Sequence, residues 1–241
     1  MPSLEKYARE LDYYYTRGVV PSMEALTKRP DSVRRLLISE KLEGEGKEKL
    51  LEKCAQLRVR VEVADKALSR ISGKENCFAA AVVEKRFENL QPGRHVVLHH
   101  ISDAGNLGTV LRTALGFGYR DLAIIRPAAD SYDPRVIRAS MGAIFSLRLK
   151  EYDDFESYRR EFPEQMLYPF MLDGSVMLEE AVNACPPRNS SLFFGNEGAG
   201  LPAEFARMGK PVRIPHSNDI DSLNLSIAAA IGMYAFMNAK G

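Results

Sequence analysis

Phe194-Gly195-Asn196-Glu197-Gly198-Ala199-Gly200-Leu201-Pro202 is followed about twenty residues later by Ser222-Leu223-Asn224-Leu225-Ser226. Apolar residues run into a glycine-dense turn that carries one carboxylate. Glycine is required where the backbone takes positive φ or approaches another group closely. Ser and Asn immediately before an Ala-rich apolar run mark a helix start, where free N–H groups can face a polar ligand. The two loops together predict a small-molecule site built mainly from backbone.

Working back toward the amino terminus, a third loop of the same kind is Ser102-Asp103-Ala104-Gly105-Asn106-Leu107-Gly108-Thr109-Val110-Leu111-Arg112-Thr113-Ala114. It follows an apolar strand, His95 to His99, and opens a helix from Leu107 to Phe117. Arg112 falls within the apolar positions Leu107, Val110, Leu111, Ala114 and Leu115, so it borders the buried face and calls for an anionic or hydrogen-bonding partner. Neither the dinucleotide fingerprint nor the Gly-Lys-Ser/Thr phosphate loop occurs here. Read singly, each loop is equally consistent with a plain helix cap or an exposed turn. All three following predicted strands is what points to a shared site.

The rest of the second half alternates strand and helix: Leu122 to Ile125 strand, Pro134 to Met141 helix, and strands at Phe145 to Leu149, Tyr168 to Leu172 and Leu192 to Phe194. A strand at Val212 to Ile214 and a helix at Leu225 to Met237 complete it. Short apolar strands between helices predict a parallel sheet covered on both faces. Ligands of such sheets sit at the carboxyl ends of the strands, and the loops lie there.

Phe87-Glu88-Asn89-Leu90-Gln91-Pro92-Gly93-Arg94 is a polar Pro-Gly connection that divides residues 1–90 from 91–241. The first part predicts a smaller α/β unit. Its helices are expected at Leu4 to Tyr15, Ser22 to Lys28, Lys47 to Gln56 and Ala67 to Ile71, and its strands at Val33 to Ile38, Val59 to Val63 and Ala79 to Val83.

The 241 residues are 45% hydrophobic and 27% charged with a formal net charge of +1, so bulk charge does not announce a nucleic-acid partner. The first ninety residues carry a net +3 and the remainder −2, and Arg34, Arg35, Arg58, Arg60, Lys85 and Arg86 are candidates for a local basic face. Cys54, Cys77 and Cys185 are far apart and read as reduced thiols, and the four histidines lack metal-ligand spacing, so no metal is expected. No apolar run reaches the ~18 residues of a membrane span, and the charged start lacks a signal-peptide core. A cytoplasmic protein is expected.

Asn106-x-Gly108-x-x-x-Arg112-Thr113-Ala114, Phe194-Gly195-Asn196-Glu197-Gly198-x-Gly200-Leu201, and Ile214-Pro215 with Ser222-Leu223-Asn224-x-Ser226-x-Ala228 resemble motifs 1, 2 and 3 of the SpoU/TrmH family in order, spacing and strand context. The resemblance covers roughly residues 94 to 241. It implies a trefoil-knotted SPOUT methyltransferase domain that uses S-adenosylmethionine to methylate a ribose 2′-hydroxyl of RNA. By the same resemblance the backbones of Gly195, Ile214 and Leu223, with Leu172 a further candidate, bind the cofactor. Arg112 handles the 2′-hydroxyl with help from Asn106, Glu197, Ser222 and Asn224. A guanidinium is effectively always protonated, which favours Arg112 gripping a phosphate and stabilising developing alkoxide charge over acting as a base, with Glu197 and Asn106 orienting it. Tyr15-Thr16-Arg17-Gly18-Val19-Val20 before Ala25-Leu26 looks like the L30e-like RNA-binding domain often joined to this family. The His-Gln-Gly-like turn common there is replaced by Gly73-Lys74-Glu75-Asn76-Cys77-Phe78. The resemblance further implies a homodimer, with the apolar carboxyl-terminal helix as the contact, and ribosomal RNA of the 23S type as substrate. Alternatives within the family are a tRNA methyltransferase or an antibiotic-resistance rRNA methyltransferase, and outside it a non-catalytic RNA-binding or assembly factor.

Overall fold

A computed structural model describes residues 4–73, 76–184 and 186–239. In chain order its elements are β1 (Tyr13–Arg17), α1 (Val19–Lys28), β2 (Val33–Ile38), α2 (Glu45–Leu57), β3 (Arg60–Val63), α3 (Asp65–Ser72), β4 (Ala79–Glu84), β5 (Arg94–His99), α4 (Ala104–Gly116), β6 (Asp121–Ile125) and α5 (Pro134–Ala139). There follow β7 (Arg148–Tyr152), α6 (Phe155–Glu161), β8 (Met166–Pro169), β9 (Val176–Met177), α7 (Leu178–Asn183), β10 (Ser190–Phe194), β11 (Val212–Arg213) and α8 (Leu225–Met237). The chain divides into two compact units, Met1–Arg86 with Asp130–Ser146, and Phe87–Ala129 with Leu147–Gly241.

The first unit holds a four-stranded sheet in the order β1-β4-β2-β3, antiparallel except for the β2–β3 pair. Tyr15, Leu37, Leu68, Ile71, Ala80 and Val82 form its core. A helix was expected from Leu4 to Tyr15, and the structure corrects this: Tyr13 to Arg17 is a strand laid antiparallel on β4. The run Tyr13-Tyr14-Tyr15-Thr16 is aromatic and β-branched, suits a pleated half-buried surface, and overrides the helical spacing before it. Thr16 and Ser22 meet through their hydroxyls at 2.8 Å, and both accept the N–H of Ala81.

Asp130–Ser146 belongs with this first unit, whereas the sequence reading ran the second unit unbroken from 91. Aromatic packing gives the reason: Tyr132 and Phe145 lie 4.7 and 6.5 Å from Tyr14, and the Tyr7 hydroxyl donates to Asp130. The candidate basic face is largely neutralised. Arg34 pairs with Asp12 at 2.6 Å and Glu84 at 3.1 Å, and Arg35 and Arg60 share Glu62. Cys54 is buried, which pushes its thiol up to about 11. Lys74, Glu75 and Cys185 lie outside the described residues.

The second unit is built on a five-stranded, all-parallel sheet in the order β7-β6-β5-β10-β8. β6 and β10 are buried along their whole length, as strands covered on both faces must be. Leu90, Val97, Tyr158, Phe162, Phe193 and Phe205 are part of its core. His95 is buried there, bonded to the Tyr158 hydroxyl at 2.9 Å and the Gln91 carbonyl at 2.7 Å, and burial lowers its basicity. Three readings need correction. Phe145 lies in a 3-10 turn, and the strand expected there starts only at Arg148. Val212 to Ile214 does not join the main sheet, because β11 pairs in parallel with β9 in a separate two-stranded ladder. Two helices lie where the sequence pattern predicts no element, α6 between β7 and β8 and α7 between β9 and β10. Helix α8 runs from Leu225 to Met237, as expected, and packs on α4. Gly232 permits close packing of α8, since a Cβ there would lie 2.6 Å from the Phe170 ring. Among the described residues no helix is long and apolar enough to cross a membrane.

Candidate active site

The three loops converge in the second unit, at the carboxyl ends of β5 and β10 and the amino terminus of α8. After β5 the chain turns into α4, where Asp103 caps the helix by accepting the N–H of Asn106 at 2.7 Å. The N–H groups of Ser102 and Asp103 stay outside the helix ladder, as the first donors of any helix do. Both point at Glu197, donating to its two carboxylate oxygens at 3.1 and 3.0 Å. The Ser102 hydroxyl (2.9 Å) and the Asn106 side-chain amide (3.3 Å) donate to the same carboxylate. Partial burial works to raise the Glu197 pKa. The N–H groups of Asp103 and Ser102 and the Ser102 hydroxyl outweigh it and hold the carboxyl below its ordinary value. Glu197 is therefore ionised and fixed at the positive end of α4.

The glycine turn after β10 is a tight hairpin. Asn196 and Gly200 exchange backbone hydrogen bonds of 3.1 and 2.9 Å, and the Asn196 side chain accepts from Gly198 and Ala199 while donating to the His100 carbonyl. Two glycines are obligatory. Gly200 has φ 67, and a Cβ on Gly195 would stand 2.2 Å from the carbonyl carbon of Gly200. The third loop ends at Asn224, which caps α8 by accepting from Ser226 and Ile227. Its amide also donates to Asn106 Oδ1 at 3.2 Å. Asn106 thus donates to Glu197 and accepts from Asn224, joining all three loops in one hydrogen-bonded chain.

Beside this chain lies a cleft of about 310 Å3. All four residues expected at a cofactor, Leu172, Gly195, Ile214 and Leu223, line it, as do Glu197 and Ser222. Phe170, Met171, Phe194, Leu201, Leu225 and Ala228 add an apolar lining that spacing alone did not single out. Asn106 and Asn224 adjoin the cleft through Glu197. Arg112 stands apart from them: it is exposed on α4, and Glu197 is bonded to Ser102, Asp103, Asn106 and Asn196 rather than to Arg112. The orienting contact expected between Glu197 and Arg112 is not made. Ser102 and Asn196, which hold Glu197, were missed as individual residues, although both stood inside the quoted loops. The arrangement suits an amphipathic small molecule with an anion-ordered polar edge. Among the described residues no cluster of three or more His, Cys, Asp or Glu is arranged to hold a metal.

The family described as the SpoU rRNA Methylase family matches residues 93–234. The chain is 32% identical over 140 residues to a ribosomal RNA small subunit methyltransferase G 2 from Syntrophobacter fumaroxidans, covering 58% of this chain but only 26% of that protein. It is 28% identical over 197 residues to a 23S rRNA (adenosine(1067)-2′-O)-methyltransferase from Streptomyces laurentii, covering 77% of this chain and 72% of that one. It spans about a quarter to a half of the length of the first curated relatives it matches. Among solved structures it resembles an AdoMet-bound rRNA methyltransferase from Sinorhizobium meliloti, with TM-score 0.79 and 26% identity over 93% of this chain and 87% of that one.

Proposed function

The chain belongs to the SpoU rRNA Methylase family, and on that premise we propose that it methylates a ribose 2′-hydroxyl of structured RNA using S-adenosylmethionine. The proposed substrate is ribosomal RNA of the 23S type, the class named for the Streptomyces laurentii relative. One observation carries the reading: the hydrogen-bonded chain Glu197–Asn106–Asn224 ties the three loops together beside the cleft lined by Leu172, Gly195, Ile214 and Leu223.

The residues present fit the cofactor. A cleft of about 310 Å3 matches the lower range of small-molecule sites. Phe194, Leu201 and Leu225 offer apolar surface to an adenine and a thioether chain, and the glycine hairpin leaves backbone groups close at hand. S-adenosylmethionine bound there would supply a sulfonium methyl to the ribose 2′-oxygen, with S-adenosylhomocysteine as the leaving thioether and the hydroxyl proton passing to water. The protein's share is positioning. Asn106 and Asn224 hold the loops and present amides to the ribose, and Glu197 locks the hairpin onto α4. Ser222 adds a hydroxyl at the cleft. Arg112, exposed and unattached to Glu197, is free to grip a substrate phosphate and stabilise the developing alkoxide.

The same reading threads the carboxyl-terminal stretch as a trefoil knot. It treats residues 1–90 as an L30e-like RNA-binding domain and residues 91–241, apart from the Asp130–Ser146 segment that groups with the first unit, as the methyltransferase domain, and it sets the protein in the cytoplasm. It also pairs two copies through α8, whose Ile227 and Tyr234 are 51% and 56% exposed despite their size. A monomer by light scattering with full activity would contradict the pairing. The function itself is tested by mapping ribose methylation across RNA from cells with and without the gene. One missing site in the large ribosomal RNA is expected, and an unchanged map would overturn the proposal.

A further inference from the structure

A second cleft, of about 630 Å3, shares Asn196, Ala199 and Gly200 with the first, so the glycine hairpin is a wall common to both. His99, His100, Ser102, Pro127, Ala129 and Pro202 form much of the rest. The mechanism above uses none of the histidines, yet His100 is the one non-glycine residue with positive φ among the described residues of this unit. Its φ is 58, a left-handed conformation that a side-chain-bearing residue keeps only where its surroundings enforce it. They do so here. The His100 N–H donates to the Ile125 carbonyl at 3.1 Å, and its own carbonyl accepts from Asn196 at 2.9 Å. The turn sets the His100 ring against His99, 3.8 Å away and 25° from parallel. His99 is buried, which together with neighbouring His100 lowers its pKa to about 4 and keeps it neutral.

The placement relative to the reacting group is what gives this ledge a use. Ser102 both lines the second cleft and donates to Glu197, which in turn accepts from Asn106, so one wall residue of the cleft is bonded directly to that pair. In a nucleotide the base is attached to the sugar carbon next to the one bearing the 2′-hydroxyl. A ribose presented to Asn106 and Glu197 must therefore place its base within one sugar ring of that pair. The first cleft is taken by the cofactor in the reading above, and the second adjoins it. Flat imidazole, proline and alanine surfaces suit an unstacked base, because recognition of splayed-out nucleotides relies on aromatic stacking more than on charge.

From this we infer that the second cleft seats the nucleobase of the target nucleotide, flipped out of its stack, with the His100 ring as its stacking face. The inference rests on the methyltransferase reading, and its test is kept separate from it. Saturation-transfer NMR is recorded on the protein with S-adenosylhomocysteine and, in turn, the 5′-monophosphates of adenosine, guanosine, cytidine and uridine. For at least one nucleotide the base protons are expected to be saturated more than the ribose protons. That signal is expected to fall about tenfold in His100→Ala and to survive in His100→Phe, which retains a flat ring. Ala129→Trp, which fills the cleft, is expected to abolish it while leaving S-adenosylhomocysteine affinity at the wild-type value. Base signals absent from the wild type, or equal in wild type, His100→Ala and Ala129→Trp, would overturn the inference. Failure to move label from S-adenosylmethionine into total RNA would instead overturn the methyltransferase reading alone.

Discussion

Replacing Gly195 by alanine probes the site at its tightest point. The new Cβ would lie 2.2 Å from the Gly200 carbonyl carbon and 2.4 Å from both its oxygen and the Leu201 nitrogen. All three are backbone atoms, so no rotamer change relieves the clash. Comfortable carbon contacts begin near 3.5 Å, so the hairpin must open by roughly 1 Å. That opening breaks the two Asn196–Gly200 hydrogen bonds, worth about 1 kcal/mol each, and adds an overpacking cost of about 1–3 kcal/mol. Because solvent can replace part of what is lost at this exposed turn, about 2–4 kcal/mol is the expected destabilisation. A thermal melt should show a drop of roughly 4–16 °C for a chain of this size. The hairpin also carries Glu197 and walls the first cleft. S-adenosylmethionine affinity by calorimetry should fall at least tenfold, and methyl transfer on the order of a hundredfold, as for misplacements of ~1 Å generally. Gly198→Ala is the matched control, since its Cβ would meet only Asn196 Oδ1, at an ordinary 3.6 Å. If Gly195→Ala melted and bound cofactor as Gly198→Ala does, the hairpin would tolerate a Cβ at position 195 and would not hold the site by its close approach there.

Three further substitutions test the surrounding contacts. Glu197→Gln keeps the shape but loses charge-assisted bonds to Ser102 and Asp103, and should cost about 1–3 kcal/mol at neutral pH. Because the folded Glu197 pKa lies below its unfolded value, its contribution is present above the ordinary carboxylate range and is lost as pH falls through the folded pKa. The variant's acid denaturation profile should therefore be flatter there, and an unchanged profile would count against the assignment. His99 has a folded pKa near 4 against an ordinary value of 6.5, so the unfolded chain takes up the proton first. Stability should decline as pH drops from about 6.5 toward 4, and His99→Phe should lessen that slope in urea titrations. Asn224→Ala removes the cap of α8 and the link to Asn106, with an expected loss of about 1 kcal/mol and a larger fall in methyl transfer; equal rates would argue that the link is idle.

The site was legible because its parts are local signals. Glycines at Gly195 and Gly200 stand where the backbone admits no side chain or takes positive φ, and Asn224 before an apolar run announces a cap. The same locality made α8 and β2 readable to their ends. What stayed hidden depends on partners distant in sequence. Tyr13–Arg17 becomes a strand because β4, more than sixty residues later, offers an edge. Asp130–Ser146 leaves the unit that flanks it because Tyr14 receives Tyr132 and Phe145. Arginines 34, 35 and 60 look like a basic face until Asp12, Glu84 and Glu62 fold against them. Arg112 was read correctly as bordering an apolar stripe, but the partner inferred for it, Glu197, is committed to the start of α4 instead.

In the proposed function three loops make one site for methylating ribose, and Arg112 acts on the RNA and not on the cofactor. The most direct measurement is transfer from methyl-labelled S-adenosylmethionine to total RNA by purified wild type and Arg112→Ala, with nucleosides identified by mass spectrometry and cofactor affinity measured in parallel. The wild type is expected to yield a single 2′-O-methylated nucleoside, and Arg112→Ala is expected to transfer nothing at nearly unchanged cofactor affinity. Label on a base, or an Arg112→Ala variant that fails only because it no longer binds cofactor, would contradict it.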